Sequence, residues 1–124
     1  MIVLVILAIY FFYTETRTVA ISADELISAY EQNSKRADDN LLNKEIEVTG
    51  TVRAFYKFEN KHSLLEINSD DRDIKLFCII LTSDIEEKAN MLLTDTRVIV
   101  EGKCKGLAEG IFPNSIYIEV QSIK

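Results

Sequence analysis

From residue 45 onward, apolar side chains recur at every second position in five blocks. EIEVTGTVRAFYKF (45–58), SLLEINS (63–69), IKLFCIIL (74–81), TRVIVEGKC (96–104) and SIYIEVQSI (115–123) read as β-strands, with ENKH (59–62) as a hairpin connection. Elsewhere the period lengthens toward that of a helix. In ISADELISAYEQN (21–33), Ser22 and Glu25 have the spacing of a capping box, and Ile21 and Leu26 that of a hydrophobic staple. Ala23, Leu26, Ile27 and Tyr30 form the stripe that docks on a core. KRADDNLLNK (35–44) reads as a short helical turn. TSDIEEKANMLL (82–93) carries a second capping box, Ser83 with Glu86, and a stripe of Ile85, Ala89, Leu92 and Leu93. KGLAEGIFPN (105–114), with Gly106, Gly110 and Pro113, reads as a loop.

Five strands with a helix between the third and fourth is the element order of an OB-fold: a mainly β, five-stranded Greek-key barrel, here with an added N-terminal helix. A β-sandwich would call for about seven strands. Two strands share a defect. In IEVTGTV (46–52) and VIVEGKC (98–104), Gly50 and Gly102 occupy slots where the alternation calls for an inward side chain. A glycine inside a strand marks a bulge, a corner or a close backbone approach, so these two are expected where the long strands bend to close the barrel.

The chain opens on MIVLVILAIYFFY (1–13), free of charge and followed by polar TETRT. As a helix it would span roughly 20 Å, short of a hydrocarbon core of roughly 30 Å, and it lacks the basic n-region and cleavage site of a secretory signal. Its β-branched and aromatic content would also suit a buried strand. The absence of any polar side favours an apolar N-terminal helix that holds the protein to a membrane through residues 1–13. On that reading residues 1–18 are anchor and linker, residues 19–124 are the OB-fold domain, and the protein is single-pass with its domain outside the cytoplasm.

With 124 residues, 48% of them hydrophobic, the chain has material for one core. Asp plus Glu total 20 against 14 Lys plus Arg, and the net charge of −6 argues against non-specific nucleic-acid binding. Cys78 and Cys104 lie far apart on inward-facing strand positions, as buried small hydrophobes or, in an oxidising compartment, as a disulfide. With His62 alone in the hairpin there is no metal-ligand set, and SDDRD (69–73) lacks the downstream Gly and Glu of a calcium loop. No nucleophile–base pair is visible either. Neither catalysis nor a cofactor or metal is expected.

Binding is better supplied. OB-folds hold ligands on their second and third strands and in the loops joining strands one to two and four to five. Here those loops bring Phe55, Tyr56, Lys57, Phe58, Lys61 and His62, together with Phe112. Rings beside lysines suit a single-stranded nucleic acid. Against that, strand parity turns some of these rings inward, and Glu59, Glu66 and Asp70 lie near. Ile111 and Phe112 either cap the barrel's open end or form a contact surface beside the hairpin. The expected function is a non-catalytic, membrane-anchored module at the cell envelope that binds a ligand or an envelope protein partner, the alternative being a single-stranded nucleic-acid-binding protein.

Leu26, Tyr30 and Asn33 in the helix, Ala37, Lys44, then I-x-V-T-G-x-V (Ile46 to Val52) and V-x-V-x-G-x-C-x-G (Val98 to Gly106) together resemble the tRNA_anti-like family. These are small bacterial OB-fold proteins, usually with a membrane anchor or lipoprotein signal. The resemblance implies the fold over about residues 22 to 123 and implies no catalytic residue. The chain departs from the family's pattern at Asp95, where a Gly is common, and it has no lipobox cysteine.

Overall fold

The structure, a computed structural model, describes residues 18–68, 73–108, 112 and 114–124. The apolar segment 1–13 lies outside them. The elements run β1 (Val19–Ser22), α1 (Ala23–Gln32), α2 (Ser34–Leu41), β2 (Glu45–Tyr56), β3 (Ser63–Ile67), β4 (Lys75–Ile80), α3 (Ser83–Asn90), β5 (Arg97–Ala108) and β6 (Ser115–Ile123). The strands are ordered β1-β2-β3-β4-β6-β5, and β5 pairs back onto β2. That pairing closes a five-stranded barrel, the OB-fold read from the sequence.

Closure depends on β2 serving two neighbours. Glu45 to Thr51 pair with Lys103 to Arg97 of β5, and Val52 to Tyr56 pair with Ile67 to Leu64 of β3. At the change-over the Val52 N–H donates to Thr96 O at 2.8 Å and the Asn68 N–H to Thr51 O at 2.9 Å, so the ladder continues across the bend. Gly50 sits just before this point. A Cβ there would lie 2.4 Å from Ile67 Cγ2 and 3.0 Å from Ala23 Cβ, so the bare backbone lets the first turn of α1 and the end of β3 both close onto β2. Gly102 stands at a register shift between β5 and β6, where a Cβ would lie 2.2 Å from the Glu119 carbonyl oxygen. Both glycines are strand residues at bends, as expected, and close approach is the physical reason for each.

The inward faces of the strands make the core, with Ile46, Val48, Leu65, Ile67, Leu76, Val100, Ile116 and Ile118 fully buried, and α1 covers it with Ala23, Leu26 and Ile27. The start of α1 is as read: Ser22 Oγ accepts from the Glu25 N–H at 3.1 Å. Asn33 closes α1 and caps α2, its Oδ1 accepting from the Arg36 N–H at 3.1 Å. The expected short turn is thus a full eight-residue helix that buries Ala37 and Leu41. Between the two helices the Tyr30 hydroxyl donates to Asp38 Oδ1 at 2.7 Å and lies 3.8 Å from Cys104 Sγ, which fastens the helical layer to β5. Burial, and then the Asp38 contact, push the Tyr30 pKa well above its ordinary value.

Three sequence readings are corrected. β1 was not foreseen; it pairs parallel with Ile46 to Thr49 of β2 as a sixth strand outside the barrel. The N-cap of α3 is Thr82, not Ser83, and no side chain caps it. Glu86 accepts instead from Ser63 Oγ at 3.1 Å, and Leu93, expected on the apolar stripe, is 76% exposed. β5 runs four residues further than expected, because a bulge at Gly106, whose φ is 72°, renews its pairing so that Leu107 meets Ile116 and Ala108 meets Ser115. Cys78 and Cys104 are free and buried, the first of the two readings given for them and not the disulfide. Each faces Ile118 from opposite sides of β6. Two strand spacings put their Cα atoms roughly 8–10 Å apart, beyond the reach of a disulfide at about 7 Å.

Candidate functional site

The strands that wall the barrel carry a second apolar layer on their outer surface. Since Leu65, Ile67, Leu76, Cys78, Ile116 and Ile118 fill the core, alternation sends Leu64, Phe77, Ile79 and Tyr117 outward. There Leu64, Phe77 and Tyr117 are buried nonetheless, covered by Tyr56, Phe58, Ile79 and Phe112. Phe112 lies flat on Phe77, with centroids 4.6 Å apart and planes at 12°, and leans on Tyr56 at 5.2 Å and on Phe58 at 6.4 Å. Tyr117 stacks on Phe77 at 5.9 Å. Its hydroxyl donates to Phe112 O at 2.8 Å and accepts from the Phe112 N–H at 3.1 Å, so one side chain holds both backbone groups of that residue.

The residues singled out from the sequence therefore separate. Tyr56, Phe58 and Phe112 meet on this outer face, half-buried. Phe55 turns the other way and packs against the barrel core, as parity requires. Lys57, Lys61 and His62 are exposed in the hairpin. Lys57 Nζ lies 3.7 Å from Glu86 Oε1 of α3. Of the two expectations for Phe112, the structure places it beside the hairpin and away from the barrel's interior. Leu64, Phe77, Ile79 and Tyr117 were not among the residues read as candidates. Their signal was the unbroken apolar runs LL (64–65), LFCII (76–80) and IYI (116–118), which mark strands covered on both faces.

Few polar groups enter this layer. Tyr56 donates to Glu66 Oε1 at 3.0 Å, and partial burial followed by that contact raises the Tyr56 pKa. A separate groove of ≈ 470 Å³ lies where β1, α1 and β2 meet, with Ser22, Asp24, Thr51 and Arg97 in its walls; at its edge Asn68 Nδ2 donates to Asp24 Oδ1 at 2.7 Å. Among the described residues no group of three or more His, Cys, Asp or Glu side chains is placed to hold a metal ion, and no helix is long and apolar enough to cross a membrane.

A closed five-stranded barrel with an aromatic layer on the outer face of β3 and β4 is an OB-fold in architecture. The sequence matches the tRNA_anti-like family over residues 11–113, and the chain belongs to that family. No curated protein matches it. Among solved structures it is similar to a "putative nucleic acid-binding lipoprotein" from Klebsiella pneumoniae, with a TM-score of 0.64 and 12% identity, covering 85% of this chain and 92% of that one. It is similar also to asparaginyl-tRNA synthetase from Pyrococcus horikoshii, with a TM-score of 0.56 and 20% identity over 84% of this chain. The chain spans only 22% of that enzyme. An OBody bound to hen egg-white lysozyme matches with a TM-score of 0.53 and 12% identity, over 68% of this chain and 82% of that one. At these identities the likeness is one of fold.

Proposed function

We propose that the protein is a non-catalytic OB-fold binding module of the cell envelope, held to the membrane through residues 1–13, whose outer aromatic face docks a protein partner. The observation that carries this reading is the half-buried group of Tyr56, Phe58 and Phe112, an apolar surface that the barrel does not need for closure. Its surroundings are of mixed charge: Lys57 is paired with Glu86, and Glu66 stands on the same strand face. With a net charge of −6, this is a poor track for a phosphate backbone. The OBody, similar in fold and bound to lysozyme, supports the choice.

Single-stranded nucleic acid is the second reading, favoured by exposed Lys57 and Lys61 beside stacked rings and by the description of the Klebsiella neighbour. Titration with a labelled single-stranded oligonucleotide at low salt separates the two. A protein-binding module gives weak binding that Lys57→Glu and Lys61→Glu leave unchanged. Affinity that falls steeply with salt and vanishes in those variants establishes the nucleic-acid reading and rejects ours. The anchor is tested by fractionation: the full chain sediments with membranes, and the chain lacking residues 1–18 stays soluble and folded.

A further inference from the structure

Phe112 meets the outer face through more than its ring. Its side chain is stacked on Phe77 and flanked by Tyr56, while its own N–H and C=O are both taken by the Tyr117 hydroxyl. This pairing recognises a residue rather than an apolar surface: a flat ring at stacking distance, and a peptide donor and acceptor fixed relative to it. The floor is rigid. Leu64, Phe77 and Tyr117 sit on three neighbouring strands of the closed barrel, and each is at least 95% buried. Only one polar atom of the seat is needed, because a phenolic hydroxyl both donates and accepts.

We infer that Phe77, Tyr117, Tyr56 and Leu64 form a seat for an aromatic residue of a peptide, filled in this chain by Phe112, and that an aromatic residue of a protein partner competes for it. The inference rests on reading this face as the binding surface, and it names the chemistry of the ligand. A nucleobase could supply a ring and a donor–acceptor pair. It would also bring a phosphate toward Glu66 and Glu86, which a peptide does not.

The probe is N-acetylphenylalaninamide, the smallest molecule with the ring, the N–H and the C=O in their peptide arrangement. In Phe112→Ala the seat is empty, and the probe should produce saturable NMR shifts confined to Phe77, Tyr117 and Tyr56. The unaltered chain, whose own Phe112 competes, should need at least about tenfold more probe. Adding Tyr117→Phe to Phe112→Ala keeps the floor but removes the hydroxyl, and should weaken the probe by about five- to tenfold, as losing an ordinary hydrogen-bonded contact does. A flat response of Phe112→Ala, no effect of Tyr117→Phe, or tighter binding of thymidine monophosphate than of the probe each overturns the inference. Should Phe112→Ala fail to fold, the unaltered chain decides: saturating probe must speed hydrogen exchange of the Phe112 amide and leave the β6 amides unchanged, and no such change refutes competition. Failure of the seat is separable from failure of the face. Tyr56→Ala and Phe58→Ala disable partner binding whenever the face is the interface, whatever the probe does.

Discussion

Replacing Gly102 by alanine sets one methyl group against the backbone of the neighbouring strand. The added Cβ would lie 2.2 Å from Glu119 O and 2.9 Å from Glu119 C, so the strands must part by about 1 Å to restore a normal contact. A ladder hydrogen bond near 2.9 Å does not survive that stretch. Gly102 faces Val120 and Lys103 faces Glu119 at a register shift, so the bonds at risk are those that hold β5 to β6 where the barrel bends. Losing about two of them, with buried groups left unpaired, costs about 3–5 kcal/mol, a large share of the 5–15 kcal/mol typical of a whole domain. Gly50→Ala is the control. Its 2.4 Å neighbour is Ile67 Cγ2, the end of a side chain, so the change is overpacking at about 1–3 kcal/mol, eased by about 0.4–1 kcal/mol through the stiffer unfolded chain. Urea unfolding of both variants measures the difference. With a slope of about 2 kcal/mol/M, Gly102→Ala should lower the midpoint by about 1.5–2.5 M and Gly50→Ala by at most about 1.3 M. Equal midpoints, or a loss under about 1 kcal/mol for Gly102→Ala, would refute the close-approach account.

Further outcomes follow from caps and from buried acids. Ser22→Ala should cost about 1 kcal/mol, because it removes the acceptor of the Glu25 N–H, whereas Thr82→Ala should be nearly silent in the same urea assay, its side chain making no cap bond. Burial pushes the Cys78 thiol up to about 12, and burial also raises Cys104 and Tyr30. The Cys78 thiol stays neutral in the folded chain while the unfolded chain loses its proton from about pH 8.5 upward, and Cys104 and Tyr30 shift in the same direction. Stability is therefore whole at neutral pH and falls as pH rises past 9, by up to about 1.4 kcal/mol per pH unit for each such group. Urea midpoints at pH 7.5, 9 and 10.5 check this, and a Cys78→Ala chain, less stable at pH 7.5, should lose less on going to pH 10.5. A midpoint independent of pH would contradict it.

What could be read without coordinates was whatever neighbouring residues decide. Ser22 and Glu25 are three positions apart, and their cap is as expected. Inward and outward sides of the strands follow from parity, which placed Cys78 and Cys104 inside and turned Phe55 away from Tyr56. Gly50 and Gly102 were legible as gaps in that parity. Less could be said where the partner is remote or the segment short. β1 has four residues, and its partner begins at Ile46; nothing in VAIS alone states that it pairs parallel with β2. β5 was cut at Cys104 because Gly106 looked like loop, whereas its left-handed φ serves a bulge within the strand. Asp95, with φ at 72°, occupies a left-handed turn position that a glycine would take without strain. The aromatic face was half visible: its loop residues were named, but its floor of Leu64, Phe77 and Tyr117 was hidden in strands that looked like ordinary core.

The parallel pairing of β1 with β2 bears on how the domain takes load. Val19 to Ser22 lie beside Ile46 to Thr49, running the same way, and α1 follows at once. Tension arriving from the chain ahead of Val19 and directed along the strand pulls on all of those hydrogen bonds together, in shear, where a perpendicular pull would open them one by one. β1 is thus the first element of the domain to meet a load applied at Val19. The packing of Ala23 of α1 against Gly50 lies behind that four-residue pairing, and the aromatic face lies on other strands.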